Sequence, residues 1–349
     1  MDGVLQDNVE ANPATGAAFA RVDHATWLTI FLCVLALSLA AISFAIGPAD
    51  ISLSDLFGGL FASHSSATII AREIRLPRAL LALVVGGALG ASGAALQGLF
   101  RNPLADPGVT GVTSSAGLGA VIAMYFGLAA VNPIVLPACA IAGAVATSTI
   151  LYFLSRANAE RTALILAGAA IASLATALTA LAMSLAPNPY AISEMVRWMM
   201  GSLKDTTLAD FYLAVPPVVI GIALLMWSAR SLDALTLGEE AAFSLGVNVH
   251  AIRRRVVIGV ALATGAATAA AGAVSFVGLV VPHLLRPFYG YEPARLIFPS
   301  ALGGAALVTA ADIAVRLIAP DGQLLVGVMT AMLGAPFFIW LIVRMRSEA

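Results

Sequence analysis

The chain has 349 residues, of which 60% are hydrophobic and only 11% are charged. Soluble domains carry about 25% charged residues because water must wet their surface, so this composition indicates that lipid is the main solvent. The formal net charge of -1 excludes the basic field that nucleic-acid binding requires. Cys33 and Cys139 both lie in apolar runs, and two cysteines so placed exclude a disulfide framework and a CxxC metal motif.

The N-terminal segment is polar and mostly acidic. Residues 1–24 contain Asp2, Asp7, Glu10 and Asp23 but only one arginine, Arg21. A signal peptide begins with a positive region, so we expect no cleaved leader here. Residues 1–24 are predicted to be a short disordered tail on the cytoplasmic side, and residues 25–349 a transmembrane domain.

Charge-free runs mark the membrane spans, because a helix needs about 20 apolar residues to cross the hydrocarbon core and charges inside it are costly. In chain order, five charge-free runs each give one span: 27–46, 79–100, 162–193, 211–229 and 322–343. A further span, 296–318, is interrupted near its end by Asp312 and Arg316. The run 107–155 is long enough for two spans with a break near Pro133. The run 256–285 fits one full helix and a short return helix that join between Gly272 and Gly278. We therefore predict an all-α polytopic membrane protein of about ten transmembrane helices, some of them short or broken.

The distribution of basic residues predicts the orientation. An even number of spans puts both termini on one side, and cytoplasmic loops carry the excess of arginine and lysine. With both termini cytoplasmic, twelve of the eighteen basic residues lie inside. The six outside are Arg72, Arg75, Arg78, Arg197, Lys204 and Arg316. Three arginines cluster just before the second span, so something must hold them on the disfavoured side; anchoring by lipid headgroups is one explanation.

Four sequence blocks stand out. They are RLPRALLALVVGGALGASGAALQGLFRNPLADPGVTGVTSSAGLG (75–119), GAVSFVGLVVPHLLR (272–286), PSALGGAALVTAADIAVR (299–316) and LVGVMTAMLGAPFF (325–338). Their glycines and alanines let helix backbones approach closely in lipid. The prolines at 103 and 107 interrupt the helix, and broken backbone at membrane depth is tolerated where it lines a cavity or is buried in protein. In this order and spacing the blocks resemble the permease subunits of the FecCD family of ABC importers, from about Arg75 to Arg344.

The resemblance implies a ten-helix permease of the cell inner membrane that works as a homodimer around a central pathway. A periplasmic substrate-binding protein would deliver a metal chelate, a ferric siderophore or haem, with cobalamin as the alternative. Two ATPase subunits would bind ATP and magnesium on the cytoplasmic side, and this chain would bind no cofactor or metal itself. Its other contacts would be with membrane lipid. In this family the RLPR stretch lies on the periplasmic side, as the charge rule also predicts.

The resemblance also implies three sets of functional residues. Docking of the binding protein is assigned to Arg75, Arg78 and Arg316. The pathway and inner gate are assigned to Gln97, Asn102, Leu104 and Thr162. Coupling to the ATPase is assigned to a cytoplasmic loop, 235–255, through Gly238, Glu239, Glu240, Leu245 and Gly246. Independently of the resemblance, Asp312 and Arg316 are spaced i, i+4 and should share a helix face.

Two alternative functions compete with this interpretation, an ion-coupled secondary transporter and an intramembrane protease. The chain has a single lysine, Lys204, and no GxxxxGK[ST] motif, so its energy must come from another subunit. An ion-coupled secondary transporter would need an intramembrane acid, and Asp312 is the candidate. A GxSG pattern around Ser92 with His283 as base would indicate an intramembrane protease, but small residues are common in membrane helices. His283 itself fits a structural residue at a helix end better than a haem or metal ligand.

Overall fold

The computed structural model describes residues 13–347 apart from 48, 50, 62–65, 157–160 and 320–322, and this part of the chain is helical with no strand. A π-helical turn, Ile70–Arg75, leads into α4, and a 3-10 turn, Arg286–Phe288, follows α13. The helices in chain order are α1 (Pro13–Ala45), α2 (Leu53–Phe61), α3 (Ser66–Ile69), α4 (Leu76–Phe100), α5 (Val112–Tyr125), α6 (Leu128–Val131), α7 (Val135–Arg156), α8 (Arg161–Ser184), α9 (Pro189–Met199), α10 (Leu208–Thr236), α11 (Glu239–Ser244), α12 (Val249–Ala271), α13 (Val277–Leu285), α14 (Pro293–Ile318) and α15 (Val326–Ser347).

Seven of these helical stretches are long and apolar enough to cross a membrane, and three shorter apolar helices accompany them within the described residues. The long ones are α1, the continuous stretch from α3 to α4, α7, α8, α10, α12 and α14, and the short ones are α5, α13 and α15. The predicted all-α polytopic fold, with some short spans, is confirmed. The predicted breaks are also present, because α6 ends at Val131 before Pro133 and α12 ends at Ala271.

Polar side chains collect at the two ends of the bundle. The Arg78 end is defined here as the end that carries Arg78, Lys204 and Arg316, which line one cavity. The Arg286 end carries Arg101 and Arg286, which line another. The basic-residue distribution predicts that the Arg286 end is cytoplasmic.

Helix α4 lies at the centre of the bundle and is buried along most of its length. It packs against α14 at backbone contact: a side chain on Gly86 would overlap the carbonyl of Gly304, and one on Gly90 would overlap the carbonyl of Ser300. Helices in lipid associate by such close packing of small residues. The glycines of the first sequence block therefore set the distance between α4 and α14.

Two irregular segments enter the bundle beside α4. The segment 101–111 follows α4 and returns into the protein, where Gly111 packs on the backbone of Gly168 in α8. The segment 272–276 leads into α13, whose Gly278 packs against the Leu89 carbonyl near the middle of α4. Irregular backbone at this depth needs protein partners for its polar groups, and α4, α8 and α13 surround it.

Helix α1 begins at Pro13, within the predicted tail 1–24, because the sequence after Pro13 is rich in alanine, the strongest helix former. The apolar span within α1 begins at His24, and residues 1–12 lie outside the described part, so the division between tail and membrane domain stays a prediction. The segment 235–255 contains the end of α10, all of α11 and the start of α12, and is therefore largely helical.

The α4–α14 contact gives a matched pair of neighbouring glycines for a stability test. Gly86→Ala should lower the melting temperature of the detergent-purified protein, because the added methyl must push α14 away at a cost of about 1–3 kcal/mol. Gly87→Ala is the control: its Cβ would lie 3.6 Å from the Ala301 carbonyl oxygen, an ordinary contact, and alanine favours the helix by about 1 kcal/mol. Thermal unfolding followed by size-exclusion chromatography measures both, and equal melting temperatures would contradict this packing.

Candidate functional site

Asp312 on α14 is the centre of a charged network at the Arg78 end. Its side chain is fully buried. Arg78 Nε lies 3.0 and 3.1 Å from the two carboxylate oxygens, and its Nη2 lies 2.8 Å from Oδ1. Arg316 Nη2 lies 3.0 Å from Oδ2. The predicted pairing of Asp312 with Arg316 is present, and Arg78 joins the pair from α4.

Arg75 and Arg316 cap the end of α1. Arg75 Nη1 donates to the Ala45 carbonyl at 2.6 Å. Arg316 Nη1 donates to the carbonyls of Ser43 and Ile46, each at 2.8 Å. Carbonyls in the last turn of a helix lack intrahelical partners and carry a partial negative charge. Two guanidinium groups therefore satisfy the end of α1 and join it to α4 and α14.

The chain itself holds these arginines, through Asp312 and through the carbonyls at the end of α1. Arg75 is only 4% exposed. Arg78 and Arg316 share the one carboxylate of Asp312, and Arg75 is bonded to backbone carbonyls, so positive charge exceeds negative charge in this network. Arg78, Arg316 and the exposed Lys204 line a cavity of about 260 Å³. The assignment of Arg75, Arg78 and Arg316 to docking stays a prediction. Arg78 and Arg316 line this cavity, whereas Arg75 does not. Sequence reasoning did not assign Lys204 to this site.

Gln97 joins α4 to α13. Its side chain is buried, Nε2 donates to the Gly278 carbonyl at 3.2 Å, and Oε1 accepts a hydrogen bond from Arg286 Nη2. Both ends of the amide are therefore bonded within the chain. The assignment of Gln97 to the pathway stays a prediction, and the structure gives this residue a definite role in helix packing.

The predicted gate residues Asn102 and Leu104 lie where the chain leaves α4. Arg101 has a left-handed backbone, with φ 47°, which turns the chain. Asn102 Oδ1 accepts the Leu104 N–H at 2.9 Å, and the Asn102 carbonyl accepts the Ala105 N–H at 3.1 Å. The gate segment is thus a bonded turn. Thr162 lies in the first turn of α8, and its side chain is outside the described part.

Asp106 is a second intramembrane acid that the span count missed, because the charge-free run was taken to start at Pro107. It is 6% exposed. Its Oδ1 accepts the Gly108 N–H at 2.7 Å. A Cβ atom added to Gly278 would lie 2.8 Å from Asp106 Oδ2, so this carboxylate oxygen lies against Gly278. Gly278 is in the first turn of α13, so the positive end of the helix dipole stabilises the carboxylate. The sequence signal for this buried acid was an aspartate followed by Pro-Gly in a stretch with few charges.

Asp106 also borders a cavity of about 300 Å³ between α5, α8, α13 and α15. Its lining is mainly apolar, and hydroxyl groups reach it from two helices and from the segment before α13. Because Thr176 lines this cavity and is exposed, the cavity reaches the surface on the α8 side. Its main polar and aromatic members are Asp106, Thr113, Thr176, Ser275, Trp198 and Phe276.

The predicted coupling residues lie on and around α11 at the Arg286 end. Gly238, with φ 116°, precedes the helix, and Gly246, with φ 76°, follows it. Both are conformations that L side chains rarely adopt. Glu239 forms an ion pair with Arg253 of α12, at 2.5 Å. Glu240 is exposed and forms no ion pair among the described residues. The segment is therefore a short helix between two glycine turns, anchored to α12 by Glu239.

Exposed apolar side chains surround those acids. Leu237 is 70% exposed, Phe243 79% and Leu245 64%. Helix α11 has six residues, too few to span a membrane. Apolar side chains clustered on a short element outside the spans are typical of a protein interface. Phe243 and Leu237 were not singled out from the sequence.

The protease hypothesis finds no catalytic pair. Ser92 is fully buried within α4, and its Oγ has no hydrogen-bond partner among the described residues. His283 Nδ1 is likewise buried without a partner in that part of the chain, and its ring packs against Phe337 with centroids 6.0 Å apart. A serine nucleophile needs a base within hydrogen-bond reach. Ser92 and His283 are packing residues in this structure.

Comparison with known sequences gives one consistent result over nearly the whole chain. The sequence model of the FecCD transport family matches residues 31–344. The chain is 38% identical to the hemin transport system permease protein HmuU of Yersinia pestis over 326 residues, 91% of this chain and 96% of that protein. It is 36% identical to the Fe(3+) dicitrate transport system permease protein FecD of Escherichia coli (strain K12) over 319 residues, 91% of this chain and 99% of that protein.

A vitamin B12 permease and a solved structure extend the comparison. The chain is 38% identical to the vitamin B12 import system permease protein BtuC of Yersinia enterocolitica over 278 residues, 79% of this chain and 82% of that protein. A metal-chelate type ABC transporter solved in an inward-facing conformation superposes with a TM-score of 0.80 at 28% identity, covering 91% of this chain and 99% of that one.

Removing the carboxylate of Asp312 should destabilise the protein strongly. Asp312→Asn leaves Arg78 and Arg316 without their shared counter-charge, and breaking a buried pair in this way costs about 3–5 kcal/mol. Glu292→Gln is the control, at the residue that precedes α14. Glu292 pairs with Arg295 at the surface, and such pairs contribute about 0–1 kcal/mol. The measurement is the melting temperature of each variant in detergent. A loss no larger for Asp312→Asn than for Glu292→Gln would rule out a stabilising role for the network.

Proposed function

This chain belongs to the FecCD transport family and is a permease subunit of an ABC importer, and we propose that it works as a homodimer with two ATPase subunits and a periplasmic substrate-binding protein. The chain is a multi-pass protein of the cell inner membrane. In this arrangement the Arg286 end faces the cytoplasm and the Arg78 end faces the periplasm, in agreement with the basic-residue distribution.

Helix α11 is the observation that best supports coupling to an ATPase. The helix presents Phe243 to solvent, and Leu237 and Leu245 are exposed just before and just after it, at the proposed cytoplasmic end. These apolar side chains would be buried if they entered a groove of a partner protein, which explains why they are exposed in the isolated chain. We assign Phe243 as the central anchor, with Glu240 at the rim and Glu239 held to Arg253.

ATP and magnesium are assigned to the partner subunit. Phosphate binding by a P-loop requires a lysine after a glycine-rich turn. The one lysine of this chain, Lys204, is followed by Asp205 and lines the cavity at the Arg78 end. The chain therefore contributes the pathway, and its partner contributes the energy.

The cavity at the Arg78 end is the proposed docking site for the substrate-binding protein. It is bordered by Arg78, Arg316 and Lys204, and the network around Asp312 leaves excess positive charge beside it. Guanidinium groups bind carboxylates bidentately. A binding protein with an acidic residue on each of its two lobes would match the two cavities of a homodimer.

The cargo proposed is a metal chelate, either a ferric siderophore or haem, with cobalamin as the alternative. The relatives named for hemin, ferric dicitrate and vitamin B12 are 36 to 38% identical to this chain, so identity does not separate them. The cavity that opens near Thr176 is the part of this chain that we propose faces the translocation pathway. Asn102, Leu104 and Thr162 are proposed to narrow the pathway at its cytoplasmic end.

The ATPase assignment predicts that Phe243→Asp disrupts coupling. The purified chain alone should hydrolyse no ATP, and the assembled importer should. In the variant, loss of a central anchor worth about 2 kcal/mol should weaken assembly roughly 30-fold. Tyr190→Asp is the control, because Tyr190 is an equally exposed aromatic on α9. Co-purification and ATPase rate measure both variants; wild-type assembly of Phe243→Asp would refute the interface.

The docking assignment predicts that Lys204→Glu slows association with the binding protein. Lys204 is the best probe because it is exposed, whereas Arg78 and Arg316 also hold the fold. The association rate should fall about tenfold at low salt and less at high salt, since exposed charges are screened. Arg197→Glu, an exposed arginine outside the cavity, controls for net charge. Stopped-flow association at two ionic strengths measures the rates, and equal slowing by both variants would exclude the cavity as the docking site.

A further inference from the structure

A separate basic cavity lies at the Arg286 end, between the ends of α4 and α10 and the start of α14. It has a volume of about 190 Å³. Two arginines face it, together with amide, hydroxyl and phenol groups. The polar lining residues are Gln97, Arg101, Asn102, Thr236, Arg286 and Tyr291. No acidic residue lines this cavity among the described residues.

Arg286 carries an uncompensated positive charge in this cavity. Its side chain is part-buried and donates to the neutral amide of Gln97. It forms no ion pair within the described ranges, where the neighbouring acids are already engaged. Asp233 Oδ1 accepts the Ala294 N–H at 2.8 Å, and Glu292 pairs with Arg295 at 2.8 Å. A charge withdrawn from water is costly unless it is paired, so the cavity has the electrostatics of an anion site.

Aromatic side chains at this end of the bundle, among which Tyr291 lines the cavity, support a position at the level of lipid headgroups. Phe288 is 62% exposed and Tyr291 68%. Tyr289 shares a hydrogen bond of 2.8 Å with Thr29 of α1, two residues from Trp27, which is 70% exposed. Tryptophan and tyrosine concentrate at the membrane–water interface. Arginines between helices at that depth, on the cytoplasmic side, are typical of sites for acidic headgroups.

We propose that this cavity binds the phosphate group of an anionic glycerophospholipid in the cytoplasmic leaflet. Arg286 and Arg101 supply the charge-assisted donors, since guanidinium geometry fits phosphate bidentately. Asn102 Oδ1 is occupied by the Leu104 N–H, which leaves the amide nitrogen to donate. The Tyr291 hydroxyl is a further donor. The bound headgroup would join α13 to the turn that begins the gate segment, so lipid composition would affect the movement of that turn. This site does not depend on which cargo the importer carries.

The test is lipid binding by the full-length protein. Purified and delipidated protein is titrated with phosphatidylglycerol or phosphatidylcholine and examined by native mass spectrometry. Wild type should retain phosphatidylglycerol in preference to phosphatidylcholine. Arg101→Gln, which leaves the bond between Arg286 and Gln97 intact, should weaken phosphatidylglycerol binding about tenfold or more, the effect of losing one charge-assisted bond. Arg286→Gln should do the same, and Arg286→Lys should restore part of it.

Controls separate this site from general attraction to anionic lipid. Arg230→Gln removes an exposed arginine from α10 outside the cavity, and its affinity should equal that of wild type. Addition of inorganic phosphate distinguishes a lipid from a free anion: competition at millimolar phosphate would assign the cavity to soluble phosphate and overturn the lipid proposal. Equal losses in Arg101→Gln and Arg230→Gln, or no preference for phosphatidylglycerol in wild type, would overturn it as well.

Discussion

Backbone contact between α4 and its neighbours is the constraint on which the other features depend. In lipid, helices are held by close packing and not by exclusion of apolar surface from water. The glycines of α4 bring the α14 carbonyls against it at Gly86 and Gly90, and α13 approaches α4 in the same way. This spacing lets Arg78 of α4 reach Asp312 of α14, and lets Gln97 reach the backbone of α13. Charged and polar bonds between helices are therefore consequences of backbone packing.

The two ends of the bundle handle charge in different ways. At the Arg78 end, a fully buried carboxylate and the carbonyls of α1 bind three guanidinium groups, so that positive charge is held firmly and in excess. At the Arg286 end, the side chain of Arg286 donates to the neutral amide of Gln97 and faces a cavity. Held arginines give a rigid electrostatic surface that favours recognition of an acidic protein, whereas an incompletely neutralised arginine favours a small anionic group.

Between the ends, irregular backbone replaces continuous helix. The segments 101–111 and 272–276 meet near the start of α13, and Asp106 is satisfied there by the Gly108 N–H and the helix dipole. Both segments border the cavity that reaches the α8 surface. Interruption of the helices lets hydroxyls and a carboxylate lie inside the bundle, at the cavity that we propose as the contact with the pathway.

The sequence by itself determined the number and approximate limits of the spans, the breaks near Pro133 and Gly272, and the i, i+4 pair of Asp312 with Arg316. These features depend on residues close together in the chain, where charge-free length and helical periodicity act directly. Helix propensity continues α1 back to Pro13, beyond the apolar span that begins at His24. Only the tertiary structure decided that Arg78 shares Asp312, which lies 234 residues away, that the end of α1 holds Arg75, and that Asp106 is inside the bundle. Those partners are brought together by glycine contacts between helices, whose geometry no local pattern encodes.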